Sequence, residues 1–206
     1  MERLPDPPSE FTVPAILHTC TAGSKLWRIY YAGGPHPTRW NLFRYYGPTP
    51  SRFDHHTDPP RIQSKGILYA TSGNDAILTA LAESFQDKRH IDRRRREPWL
   101  VAFDLCADLT LLDVCGLWPV TAGGNMAINS GSREQAREWS KSIYHSYGTV
   151  QGIWYPSSIT SFFCAALYER AGSAIPMNPV LHKPLSDPSL LSGLLRLANR
   201  LNYTLS

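Results

Sequence analysis

Apolar and polar positions fall into strand-like order in only part of the chain. Residues 26–31 (LWRIYY), 66–71 (GILYAT), 99–105, 109–114, 152–155 and 162–168 are short apolar or aromatic runs. Each predicts a strand. Three stretches carry helical spacing instead. The first opens at Asn74 or Asp75 and runs to about Lys88, with Ile77, Leu78, Leu81 and Phe85 on one face. Glu83 falls almost opposite that face, among Ala76, Thr79 and Ala80. The second opens at Ser132, with Gln135 in capping-box spacing, and turns Ala136, Trp139, Ile143 and Tyr147 inward. The third begins at Asp187-Pro188, ends near residue 202, and aligns Leu190, Leu191, Leu194, Leu197, Ala198 and Leu201.

The remaining segments lack sustained periodicity. Residues 1–23 are Pro-rich and predict an extended arm that lies on the domain or stays mobile. Residues 24–206 form the body of the domain. Within it, residues 32–65 are rich in proline, arginine and histidine. Their aromatics (Trp40, Phe43, Tyr45, Tyr46 and Phe53) favour a binding loop over a disordered linker. Residues 115–130 and 171–185 read as irregular. Five or six strands and three helices without a regular βαβ alternation predict a single α+β domain, a small mixed or antiparallel sheet with surrounding helices.

Composition narrows the picture. A chain of 206 residues, 42% hydrophobic and 18% charged, suits one folded domain and excludes intrinsic disorder. Seventeen prolines and 14 glycines argue against a helical bundle. A net charge of +4 is mild for a nucleic-acid binder. The run Arg93–Arg96 has no interleaved aromatics and is flanked by Asp92 and Glu97, so it reads as a solvated loop. No window approaches a membrane-spanning length of apolar residues. The start MERLPDPPSEF lacks the basic and apolar pattern of a signal peptide, so a cytoplasmic location is expected.

Familiar chemistry is missing. There is no phosphate-binding G-x-x-x-x-G-K-[ST], no G-x-G-x-x-G, no G-x-S-x-G and no H-E-x-x-H. Cys20, Cys106, Cys115 and Cys164 are far apart, so they read as buried small residues, and no metal is expected. His55 and His56 are adjacent and point in different directions; they read as loop histidines.

One ordered set of segments does stand out: Trp27-Arg28-Ile29, Ser51-Arg52-Phe53, Gly66-Ile67-Leu68-Tyr69-Ala70, Ala80-Leu81-Ala82-Glu83, and Gly152-Ile153-Trp154-Tyr155-Pro156-Ser157. In that order, over roughly residues 26–170, the chain resembles the RES-domain family, named for an arginine, a glutamate and a serine. Ser51 stands where the family commonly has Gly, and the stretch from Arg52 to Tyr69 is long. The resemblance implies a fold similar to ADP-ribosyltransferases and NAD+ as the substrate consumed. It implies the toxin of a toxin–antitoxin pair that depletes NAD+, and an Xre-type antitoxin as partner, with a homodimer within that complex as a further expectation. Carried over by position, the implied site is Arg28, Arg52, Tyr69, Glu83 and Ser157, with Ser158 as the alternative serine.

These residue types suit that chemistry. Breaking the nicotinamide–ribose bond develops an oxocarbenium ion, which a carboxylate such as Glu83 stabilises. Arginine forks such as Arg28 and Arg52 match a diphosphate. Arg28, in a strand among aromatics, needs an anion, either an internal carboxylate or a phosphate. Tyr69 offers a flat face for nicotinamide and Ser157 a hydroxyl for its amide or the ribose. Catalysis is therefore expected from Glu83, Arg52 and Tyr69, and NAD+ binding from Arg28, Arg52, Tyr69 and Ser157. The acceptor is open between water, inorganic phosphate as a co-substrate, with Arg44 as a candidate second anion contact, and a protein side chain. Rival readings are a mono-ADP-ribosyltransferase and a non-catalytic module that binds nucleic acid or a partner.

Overall fold

The apolar runs assemble into one mixed sheet. The structure is a computed structural model and describes residues 3–206. In chain order the strands are β1 (Leu17–Cys20), β2 (Lys25–Tyr31), β3 (Arg44–Gly47), β4 (Arg61–Ser72), β5 (His90–Ile91), β6 (Pro98–Asp104), β7 (Leu109–Asp113), β8 (Gly152–Pro156), β9 (Phe163–Tyr168), β10 (Leu181–Pro184) and β11 (Thr204–Leu205). The helices are α1 (Ala76–Phe85), α2 (Trp118–Thr121), α3 (Ala127–Ser130), α4 (Arg133–Ser146) and α5 (Leu191–Leu201). The main sheet runs β1-β7-β8-β9-β4-β2-β6-β10, with β3 added to β4 and the short pair β11-β5 separate. Among the described residues, only β7–β8 is parallel within the main sheet, and the architecture is the α+β one expected.

Side-chain alternation divides the core between the two sheet faces. Leu68, Ala70, Val101, Phe103, Leu111, Trp154 and Leu167 pack on one face. Ile67, Leu112, Ile153, Tyr155 and Ala166 pack on the other, under α4 and the short helices α2 and α3. A third cluster joins α1 to α5 through Leu81, Phe85, Leu100, Leu194 and Ala198. The leucine stripe of the last helix is thus mainly core. At the start of β8, a Cβ on Gly152 would sit 2.5 Å from the carbonyl oxygen of Ala166, so only glycine lets β9 approach there.

Several segments differ from expectation. Residues 3–16 take one of the two expected courses and lie on the domain, burying Leu4 and Phe11, but the segment then forms a strand, β1, paired with β7. The long 32–65 stretch contains β3 and the first residues of β4. The irregular reading of 171–185 misses β10, which pairs with β6. Residues 115–130 hold α2 and α3. The cap at Ser132 forms, its hydroxyl accepting from Gln135 N. The Gln135 side chain does not complete the box; its amide donates to Pro5 O and Asp6 Oδ1 and ties down the N-terminal segment.

The feature that positions a site is a split in the sheet. β2 pairs with β6 over seven positions but with β4 only at Leu26↔Ser72 and Trp27↔Thr71. The next pair, Arg28 opposite Ala70, does not form; β4 stays paired with β9 on its other edge and meets β3 further along. A cleft opens between β2 and β4.

Candidate active site

That cleft continues into a cavity of about 580 Å³. Arg28 lines it from β2, Tyr69 from β4, Glu83 from α1, Arg52 from the loop after β3, and Tyr155 and Cys164 from β8 and β9. Four of the five residues implied by the family resemblance therefore meet in one place, although up to 55 positions separate them.

Glu83 sits on the small-residue face of α1. Ala80 and Ala82 beside it are buried, because they pack against the sheet. Ser157 Oγ donates to Glu83 Oε1 at 2.6 Å. The same oxygen accepts from the backbone N–H groups of Ile159 and Thr160, so the turn after β8 holds the hydroxyl rigidly. Ser157 is only 2% exposed, and it is Ser158 that lines the cavity. The geometry thus gives Ser157 a contact with the carboxylate and leaves the cavity surface to its neighbour. On the other side, Gln86 Nε2 donates to the Glu83 carbonyl at 2.8 Å.

The arginines divide into paired and unpaired. Arg28 donates to Trp40 O at 2.8 Å, and its Nε is buried without a partner. Burial lowers its pKa to about 10, with Tyr30 opposing. Among the described residues, Arg28 forms no ion pair with a carboxylate. Arg52 donates to Gly131 O at 2.9 Å. Its pKa is lowered first by burial and then by the neighbouring Arg133, while Glu83 and Tyr155 oppose. Arg133, the first residue of α4, donates to the side-chain oxygen of Gln86. Arg44 is different: it pairs with Asp54 Oδ2 at 2.8 Å and also donates to Tyr46 O. Arg44, the candidate second anion contact, lines the cavity with its charge already matched by Asp54.

Asp54 organises this wall. It is fully buried and accepts from Arg44, from Thr49 N and Oγ1 (2.7 and 2.8 Å), and from His56 N and Nδ1 (3.1 and 2.6 Å). Burial alone would raise its pKa, but the His56, Arg44 and Thr49 contacts together hold it well below the usual carboxylate range. The other His56 nitrogen donates to Lys65 O at 2.8 Å. Gly47 packs so closely that a Cβ would lie 2.5 Å from the His56 ring. His55 is also fully buried; it stacks on Tyr144 at 4.3 Å and has no hydrogen bond. The two histidines lie in a loop, as expected, and that loop buries both rings completely.

Burial raises the pKa of Tyr69 and Tyr155 and of the Cys164 thiol, so all three stay neutral at pH 7. The Tyr69 hydroxyl is buried without a hydrogen-bond partner. The basic run also resolves. Arg93 donates to Leu185 O and Ser186 O, anchoring the segment before α5. Arg96 turns to the cavity and stacks on Tyr31 at 4.4 Å. Sequence reasoning missed Arg133, Gln86, Asp54 and Arg96. Tyr155 carried a signal, standing inside the quoted Gly-Ile-Trp-Tyr-Pro-Ser segment. Among the described residues, no helix is long and apolar enough to cross a membrane.

No family model and no curated protein sequence matches the chain. Among solved structures, it is similar to a chain of the M. tuberculosis MbcT–MbcA toxin–antitoxin complex. The TM-score is 0.50 at 14% identity, over 85% of this chain and 91% of that one. At that identity the likeness is one of fold.

Proposed function

We propose that the protein is the toxin of a toxin–antitoxin pair and cleaves the nicotinamide–ribose bond of NAD+. The observation that carries this reading is the pairing in one cavity of a held carboxylate, Glu83, with guanidinium groups that have no carboxylate of their own. Such a cavity suits a substrate that is anionic at one part and becomes cationic at another. The fold shared with a chain of a toxin–antitoxin complex supports the biological role, with a cognate antitoxin as partner.

In this mechanism Arg28 and Arg52 hold phosphate oxygens by charge-assisted hydrogen bonds. Tyr69 lies against the nicotinamide. The C–N bond breaks with its electron pair passing to the ring nitrogen, and neutral nicotinamide leaves. Glu83, fixed by Ser157, stabilises the positive charge that grows on the ribose. An acceptor then adds to the ribose carbon and gives up its proton. The neutral Cys164, Tyr69 and Tyr155 are poor nucleophiles, which favours this order over a covalent enzyme intermediate.

Mass spectrometry of NAD+ incubated with purified protein, with and without phosphate, tests the reading. Nicotinamide release by the native chain, abolished in a folded Glu83→Ala variant, is expected. The second product names the acceptor: ADP-ribose for water, its 1″-phosphate for phosphate, or modified protein for transfer. No loss of NAD+ from folded protein under any of these conditions overturns the proposal.

A further inference from the structure

Among the arginines that face the cavity, Arg28 and the pair Arg52 and Arg133 form two separate cationic centres, beside Arg96 and the matched Arg44. Arg28 stands at the split between β2 and β4, where the charged or titratable group acting on it is Tyr30. Arg52 and Arg133 stand together on the Glu83 side. Arg52 donates to Gly131 O, two residues before Arg133, and both side chains line the cavity. Neither forms an ion pair among the described residues; their partners are carbonyl oxygens and the neutral amide of Gln86. Two like charges side by side are unfavourable unless an anion lies between them. Two carboxylates line the cavity, Glu83 and Asp87; neither forms an ion pair with these arginines, and Glu83 already accepts from Ser157 and lies within reach of the Gln86 amide.

We propose that Arg133, with Arg52, forms a binding site for a phosphate oxyanion, and that Arg133 is a contact residue of this cavity. The proposal rests on the functional reading above only for the identity of the cavity. The oxyanion has two possible sources, the diphosphate of the dinucleotide or free inorganic phosphate. Arginine suits both, because its fork presents two parallel donors to two oxygens. The Gln86 amide links the site to Glu83: its oxygen accepts from Arg133 and its nitrogen donates to the Glu83 carbonyl. Anion binding at Arg133 therefore takes place next to the group expected to meet the ribose.

The test is calorimetry on the full chain, titrated first with inorganic phosphate alone and then with NAD+ in the Glu83→Ala background, where turnover is stopped. Replacing Arg133 by Gln removes one charged donor, and a loss of about tenfold or more in affinity is expected for the anion that occupies the site. A loss confined to inorganic phosphate assigns the site to free phosphate; a loss confined to NAD+ assigns it to the diphosphate. Arg133→Lys keeps the charge without the fork and is expected to recover part of the loss. Gln86→Leu removes the amide but leaves the guanidinium and is expected to keep anion affinity. If Gln86→Leu loses as much affinity as Arg133→Gln, Arg133 merely positions Gln86 and the proposal fails. Unchanged affinity for both ligands in folded Arg133→Gln also overturns it. Because phosphate binding is measured without NAD+ cleavage, failure here is distinct from failure of the functional reading.

Discussion

Replacing Asp54 by Ala tests whether the wall of the cavity is held from inside. In the folded chain Asp54 is fully buried and meets five donors, two of them on His56 and one on Arg44. The variant leaves the His56 ring buried with its Nε2 proton on Lys65 O and nothing for its other nitrogen to donate to. Removing one partner of a buried ion pair costs about 3–5 kcal/mol. Arg44 is partly exposed and regains water when released, which places the expected cost near the lower figure. For a chain of this size about 1 kcal/mol lowers Tm by roughly 2–4 °C. A drop of roughly 6–12 °C at pH 7 is therefore expected. Asp54→Asn keeps volume and one acceptor and is expected to lose less. Circular dichroism melts of both variants, with His56→Ala and the double variant, complete the cycle. The double loss should be smaller than the sum, because each single change strands the same partner. The acid side has a definite sign. The Asp54 carboxyl is depressed in the folded state, so its contribution is full above the unfolded carboxylate value and fades as pH falls below it. An Asp54→Ala protein that melts within about 2 °C of native at pH 7 would refute the reasoning, given those penalties.

Three further outcomes are expected. Ser157→Ala removes the donor on Glu83, so NAD+ cleavage should fall about tenfold or more in kcat with little change in KM; a pure KM effect would mean that Ser157 contacts substrate instead. His55→Phe should keep or raise Tm, because neither ring nitrogen has a partner to lose. Burial, followed by the charge of His56, pushes the His55 pKa down to about 3. Stability of the native chain should therefore decline as pH falls from about 6.5 towards 3, the unfolded chain taking the proton first, and His55→Phe should flatten that decline. Gly47→Ala places a methyl 2.5 Å from the His56 ring and should cost about 1–3 kcal/mol, read as a lower melting temperature.

Much of the central sheet and the longest helix was legible in the sequence, because their signals are local. The runs of β6, β7, β8 and β9 are short and almost continuously apolar, enough to predict strands in place, and Ser132 announces α4 by a cap that needs no distant partner. The residues of the candidate site were also visible as types in order: Arg28, Arg52, Tyr69 and Glu83 all line the cavity. What the sequence could not decide is whatever depends on pairing through space. β3, β5, β10 and β11 are two to four residues long, too short for a period, and exist because a neighbouring strand accepts their hydrogen bonds. The split between β2 and β4 is a matter of which partner each strand follows, and no local pattern encodes it. Charge matching is likewise tertiary. Arg44 and Arg52 look alike in sequence, but only Arg44 meets a buried carboxylate, and Arg52 instead meets Arg133, 81 positions away. Ser157 reads in the sequence as a hydroxyl for a ligand, and only the fold shows that the hydroxyl lies 2.6 Å from Glu83. Local sequence determined which residues were available for chemistry, and the long-range contacts decided which charges remain free to do it.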